Sequence, residues 1–462
     1  MNARITWKRL RVPITLIFIL IPLTVSQAKE WSLPEALVDK ISVLDPQQKA
    51  FIVSGDALEF LPERQLIHEI ESRDVATIQA LVKDLMAVAV QMTYDPKRDM
   101  GAMPLNLSTA YFNDTIITPA PLRKMKREDG PFSTDRYMFP TSGISTFAGA
   151  KVAIYPEDLV AGKVDVAIIG IPSDMSSGRR NAEYGPRYMR AMNTIATRDI
   201  QSLLDPMDVL SVVDYGDFQV DNMSSERSLN HITAMVAETL ATEAIPMMVG
   251  GDTSILYPAV KGIASVRGKK KFGLVHFSAH PDAKRQEAQT ISDTQTVFRL
   301  ISEGIVDGDD VVQIGLRGQA VDVETLKWLR TQGVHYHTMA EINKRGYASV
   351  LKKVKKEVKK GPDQIFVSID VSVIEPTEMV SAGRIVSNGL RIQEVTTAIR
   401  YLCAAKDIVG FEITDMSPML DYTRLSAVNT NAVLNACLVG VAVRKAGLKP
   451  DYVHPLALNH GN

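Results

Sequence analysis

From Asp165 onward the chain alternates two kinds of segment, and this alternation constrains its fold more than any other feature. Short apolar runs rich in β-branched residues occur at Val166–Ile169, Val209–Val213, Ile245–Val249, Gly273–Phe277, Val311–Ile314, Gln364–Ile369 and Ile408–Ile413. Between them lie stretches with helical periodicity at Arg187–Ile195, Ser228–Glu243, Tyr257–Val266, Thr294–Glu303, Val323–Gln332, Ala348–Val358 and Ile392–Ala405. A strand that is apolar on both faces must be covered on both. Strand–helix alternation supplies the two covers, so the pattern predicts an α/β domain with a parallel sheet between helix layers. Ligands in such sheets collect beyond the carboxyl ends of the strands. The polar residues that follow the strands are therefore the candidates for chemistry.

Four strands end in polar clusters. The first leads into Gly170-Ile171-Pro172-Ser173-Asp174, then Gly178-Arg179-Arg180 and Tyr184-Gly185-Pro186-Arg187. The third leads into Gly250-Gly251-Asp252-Thr253-Ser254, and the fourth into His276-Phe277-Ser278-Ala279-His280-Pro281-Asp282. The sixth leads into Ser368-Ile369-Asp370-Val371-Ser372, followed by Glu375-Pro376. Any one of these alone reads as strand-to-helix turn chemistry, in which Gly, Asp, Ser and Thr serve positive φ and N-cap geometry. Their order and spacing together say more.

The ordered set resembles the arginase–agmatinase (ureohydrolase) family, its agmatinase branch most closely, over roughly Gly143 to Gly447. Val213-Asp214-Tyr215-Gly216-Asp217 resembles the family's Asp-x-Gly-Asp strand end, and Gln313-Ile314-Gly315-Leu316-Arg317-Gly318 its Gln-Ile-Gly-x-Arg-Gly strand. The resemblance implies a three-layer α/β/α domain, a trimeric or hexameric assembly, and hydrolysis of a guanidinium carbon by a hydroxide held between two divalent ions, usually manganese. A guanidinium is a poor electrophile. Two ions lower the pKa of the bridging water enough to make it a nucleophile at neutral pH, and hard ions of this kind prefer carboxylate oxygen with imidazole in support.

The family supplies two His and four Asp to the ions. Carried over position by position, half are replaced. Thr253 stands for a His, Ser278 for a bridging Asp, and Ser372 for a further Asp, while His280, Asp282 and Asp370 are retained. The family's Ala-Pro-Gly-Thr stretch is resembled only by Ser381-Ala382-Gly383-Arg384, and a His-bearing segment near the substrate falls on Asp293-Thr294-Gln295-Thr296. The late Glu that meets the substrate guanidinium falls on Asp415, one methylene shorter. Loss of a group that only supports a ligand costs about 10–100-fold in metal affinity or activity, and loss of three ligands costs more. His280, Asp282 and Asp370 are then the residual ligands of one divalent, manganese-like ion, or else members of a metal-free polar cluster; a paired-ion centre is not expected.

The rest of the chain frames this domain. Arg4, Lys8, Arg9 and Arg11 precede an uncharged apolar run, Val12–Val25, and small residues Ser26 and Ala28 flank a cleavage point. That layout predicts a secretory signal over residues 1–28 and an exported, periplasmic product. The run is short for a spanning helix, and an uncleaved anchor is the alternative. Residues 29–142 read as a helical extension to about residue 95 followed by a Pro-, Asn- and Thr-rich arm, and 143–462 as the ureohydrolase-like domain. The net charge of −1 gives no field to attract nucleic acid. The basic run Lys352–Lys360, with Leu351, Val354 and Val358 at helical spacing, reads as the solvated face of a surface helix. The two cysteines, Cys403 and Cys437, sit in apolar helical contexts and read as buried free thiols, with a disulfide as the alternative.

Three functional readings follow from these residues. One is a non-catalytic homologue, structural or regulatory, as a homo-oligomer or mixed with an active paralogue. Another is an active hydrolase of a guanidino compound, with His280 as ligand or base and Asp415 as the substrate carboxylate. The last is an exported protein that binds a small cation in the inherited pocket.

Overall fold

The computed structural model describes residues 31–61, 63–92, 129–132, 144–174, 181–192, 198–221, 223–285, 292–318 and 322–459. The signal at residues 1–28, most of the arm, and Gly178-Arg179-Arg180 lie outside the described residues.

The alternating segments form a nine-stranded sheet. In chain order the strands are β1 (Lys151–Val152), β2 (Val166–Ile171), β3 (Val212–Asp217), β4 (Ile245–Gly250), β5 (Gly273–Phe277), β6 (Val311–Leu316), β7 (His335–Thr338), β8 (Gln364–Asp370) and β9 (Asp407–Thr414). They lie side by side in the order β1-β3-β2-β4-β9-β8-β5-β6-β7, every neighbouring pair parallel. The seven expected strands are all present. The second begins at Val212 rather than Val209, because Asp205 caps a short helix, Pro206–Val209, that takes up its start. The two edge strands β1 and β7 escape sequence pattern reading: β1 has two residues, and β7 reads His-Tyr-His-Thr with one buried position.

Alternate residues of each strand feed two cores. Val166, Ile168, Met247, Val249, Val367 and Phe411 pack on one side, against helices Ile392–Ala405 and Leu425–Lys445. Ala167, Ile169, Met248, Leu274, Phe366 and Val409 pack on the other, against Ser225–Ala241 and Leu256–Arg267. The result is the predicted α/β/α layering. The basic run lies on helix Tyr347–Lys360, with Val350, Val354 and Val358 turned inward. Four helices, Glu35–Ile41, Pro46–Val53, Glu63–Ser72 and Val75–Met92, pack around a separate core of Leu37, Ile52, Leu66, Ile78 and Leu85.

One expectation is corrected. Cys403 and Cys437 are joined in a disulfide, with Cα atoms 5.4 Å apart, and are not free thiols. The cause is a close helix crossing. A Cβ on Gly440 would lie 2.7 Å from Cys403 Cβ and 2.5 Å from the Arg400 carbonyl, so only glycine lets Leu425–Lys445 approach Ile392–Ala405 this closely. Cys437, one turn earlier, then faces Cys403. Neither residue announces that crossing in the sequence.

Candidate functional site

Strand register builds the site in two rows. Where β5, β8 and β9 lie adjacent, His276 pairs with Ser368 and Ser368 with Glu412. Two residues on, and so on the same face of each strand, come Ser278, Asp370 and Thr414, with Asp370 paired to Thr414. Thr253 joins this upper row from the turn after β4, its hydroxyl 3.2 Å from that of Thr414. The turn is tight. A Cβ on Gly251 would lie 1.4 Å from the Ser173 carbonyl oxygen, which explains the glycine.

The lower row is a fully buried polar chain. His276 stands between Ser368, 3.0 Å from Nδ1, and Asp282, 3.2 Å from Nε2. Ser368 in turn donates to Glu412 Oε1 at 2.6 Å. Burial, reinforced by the charge on Asp370 and only partly offset by Ser368, raises the Glu412 carboxyl to about 8.

In the upper row each replacement hydroxyl is used within the protein. Ser278 donates to Asp370 Oδ2 at 2.9 Å and accepts from the His280 amide at 2.9 Å. The Ser372 amide donates to Asp370 Oδ1 at 2.8 Å. The Ser372 hydroxyl lies 3.3 Å from His280 Nδ1 and accepts from the Ala279 amide at 3.4 Å. His280, Asp282 and Asp370 thus lie together, with Thr253, Ser278 and Ser372 beside them.

What occupies their midst is Arg384. Its guanidinium donates from Nη1 to Asp282 Oδ1 at 2.8 Å, and from Nη2 to Asp370 Oδ2 at 2.8 Å and Thr253 Oγ1 at 3.0 Å. Nε stands 3.6 Å from Asp293 Oδ2 and 4.0 Å from Asp415 Oδ2. The Arg384 side chain is only 10% exposed, and those of Asp282 and Asp370 essentially not at all.

The electrostatics follow from this placement. Burial alone would raise Asp282 and Asp370. The Arg384 charge overrides it, aided at Asp282 by His276 and His280 and at Asp370 by His280 and Ser372, and holds both carboxyls below the ordinary range. Burial opposes the charge on Arg384 as well, yet Asp282 and Asp370 foremost, with Asp415 and Asp293 beyond them, keep it firmly protonated. Asp415 goes the other way: burial and the Asp370 charge push it well up against a smaller pull from Arg384. Asp293 rises to about 6 for the same leading reason, burial. Two acids are thus fixed as anions around one cation, while their neighbours are biased toward the neutral form.

Backbone geometry also concentrates here. Asp282 and Asp415 have φ of 44° and 69°, in the left-handed region that is sparsely used outside glycine. The loop carrying Arg384 is pinned on both sides. Gly383 and Arg384 amides donate to the Asp415 carbonyl and Oδ2, each at 2.9 Å. Arg317, from the Gln-Ile-Gly-x-Arg-Gly strand, donates to the carbonyls of Val386, Ser387, Ser372 and Val373 at 2.7, 3.1, 2.6 and 3.2 Å. It ties the loop after β8 to the one bearing Arg384.

Three of the six expected ligands are hydroxyls, and the two retained carboxylates are already bridged by a cation. Among the described residues, no group of three or more His, Cys, Asp or Glu side chains is arranged to hold a metal. Sequence pattern singles out His280, Asp282, Asp370 and Asp415 but does not mark Arg384 as their partner. The signal was an arginine at the end of the Ser381-Ala382-Gly383-Arg384 stretch, where the family carries threonine. Asp293 and the row His276–Ser368–Glu412 were likewise not assigned a role from sequence.

Relatives agree with the fold and the motifs. The Arginase family profile matches residues 164–440, more than half of the chain. A guanidinobutyrase of Pseudomonas aeruginosa is 29% identical over 284 residues, 61% of this chain and 87% of that protein. A mitochondrial agmatinase of Gallus gallus is 28% identical over 305 residues, 65% of this chain and 86% of its own. Among solved structures, a hypothetical agmatinase from Burkholderia thailandensis superposes with a TM-score of 0.62 at 23% identity, covering 70% of this chain and 97% of that one. The strand order, the ordered strand-end motifs and the span of the profile match all lead to one conclusion: the chain belongs to the arginase family of ureohydrolases.

Proposed function

We propose that this protein is a catalytically silent member of the family with a structural or regulatory role. One observation carries the reading: the retained acids that would bind ions, Asp282 and Asp370, are engaged by the Arg384 guanidinium at 2.8 Å each. An ion entering there would have to displace a buried cation, and would then find hydroxyls at 253, 278 and 372 in place of imidazole and carboxylate. The test is urea or ammonia release by the purified protein from arginine, agmatine, guanidinobutyrate and guanidine, with manganese, nickel or zinc added. No turnover is expected. Turnover abolished by His280→Ala would support the competing reading, a hydrolase with a reduced metal site.

The proposal extends to compartment and assembly. The Cys403–Cys437 disulfide suits an oxidising environment, which supports export directed by residues 1–28; fractionation of the source cells tests it. Assembly as a trimer or hexamer, alone or mixed with an active paralogue, is tested by mass measurement in solution.

A further inference from the structure

We infer that the Arg384 guanidinium is the resident cation of this centre, a tethered ligand standing where the family places its ions, and that the cradle takes a free guanidinium ion only when that side chain is removed. This rests on the reading of a silent enzyme. A planar fork suits the cradle in a way a point charge does not. Nη1 serves Asp282 and Nη2 is shared by Asp370 and Thr253, while Nε makes no hydrogen bond and stands 3.6 Å from Asp293 and 4.0 Å from Asp415. A guanidinium presents its donors in one plane at fixed angles, whereas an ammonium cannot reach separated carboxylates at once. The replacements also suit this occupant. Thr253 supplies a neutral acceptor where an imidazole would compete for the ion, and Ser278 gives Asp370 a donor where a second carboxylate would repel it.

The chain delivers the ligand with little freedom. Gly383 lies so near Asp415 that a Cβ there would come within 2.4 Å of its Oδ1, and Arg317 holds Val386 and Ser387 from the far side. The backbone therefore enters and leaves the cradle along a fixed path, and the side chain has only its own rotamers to lose. Truncating it leaves Asp282, Asp370 and Thr253 without the donors they now hold, an acceptor set whose chemistry suits guanidinium or methylguanidinium.

The test is thermal unfolding of the full-length Arg384→Ala protein with guanidinium or methylguanidinium chloride at low millimolar concentration, far below the molar range in which guanidinium denatures. Sodium chloride, urea and manganese chloride serve as comparisons. A saturable rise in Tm with the guanidinium ions, absent with the other additives and absent in the wild type, is expected, because a ligand stabilises only the form that binds it. No saturable rise, or uptake of two manganese ions per chain with a larger stabilisation, would overturn the inference. Should Arg384→Ala not fold, Arg384→Lys and nitrogen-15 NMR of the wild-type arginines take its place. A guanidinium with separately resolved Nη protons that vanishes in Arg384→Lys is expected, and its absence from the wild type would sink the idea. Urea release by the wild-type protein is a separate readout. Its appearance would refute the silent-enzyme reading even if guanidinium rescue held, whereas no urea and no rescue would remove only the resident cation.

Discussion

Replacing Arg384 by Met keeps most of the side-chain volume and deletes the charge. In the native protein two fully buried carboxylates, Asp282 and Asp370, remain ionised because of that charge. Removing one partner from a buried ion pair costs about 3–5 kcal/mol, since the remaining charge is left unpaired. With the Arg384 side chain only 10% exposed, solvent screens little of this. For a domain of this size roughly 2 °C of Tm accompanies each kcal/mol, so Arg384→Met is expected to melt about 6–10 °C lower at pH 7.5. The pH dependence carries the sharper sign. In the wild type, Asp282 and Asp370 have depressed folded pKa values, so their contribution is present above the unfolded value near ~3.9 and disappears only as pH falls through the folded values. In the variant both carboxyls shift upward and the folded state holds more protons than the unfolded one. Its stability then falls as pH rises, by up to ~1.4 kcal/mol per pH unit for each acid that titrates. The gap between the two proteins should be widest at pH 8 and narrow markedly by pH 5. Urea unfolding at several pH values reads both quantities. Equal stability at pH 7.5, or a gap that does not change with pH, would refute the reasoning.

Three further predictions concern the surroundings of the site. Glu412 is buried with a carboxyl raised to about 8, so ionising it opposes folding: wild-type stability should decline between about pH 4.3, its unfolded value, and pH 8, and Glu412→Gln should flatten that part of the profile measured by chemical denaturation. The Cys403–Cys437 bond closes a loop of 34 residues, for which chain entropy gives a contribution of ~4 kcal/mol; Cys403→Ser/Cys437→Ser, or reduction of the wild type, should lower the urea midpoint accordingly, and an unchanged midpoint would deny the bond a stabilising role. Arg317→Lys keeps the charge but cannot serve the carbonyls of Ser372, Val373, Val386 and Ser387 together; hydrogen exchange at residues 383–390 should quicken, and no change there would show that Arg317 does not hold the Arg384 loop.

The sequence revealed the fold because the relevant signals are local and repeated. Val166–Ile171 and Ile245–Gly250 are apolar throughout and the other inner strands mostly so, and helices alternate with them along the chain. The residual acids are legible for another reason: Asp282 and Asp370 sit at or just beyond strand ends, in the clusters His276–Asp282 and Ser368–Ser372. What stayed hidden depends on three-dimensional approach. Arg384 lies more than a hundred residues from Asp282 and fourteen from Asp370, on a loop with no periodicity, and nothing local says that it turns inward. The pairing of Cys403 with Cys437 depends on the bare Cα of Gly440 at a helix crossing. The two edge strands are short and half-solvated, so they lack the apolar run that marks the others.

The central claim is that one guanidinium holds the acids where relatives would place ions. A high-resolution crystal structure grown in excess manganese, with diffraction recorded above and below the manganese absorption edge, tests it most directly. The expected result is no anomalous peak between Asp282 and Asp370, and Arg384 seated there. Two anomalous peaks bridged by solvent, with Arg384 swung out of the cleft, would contradict it.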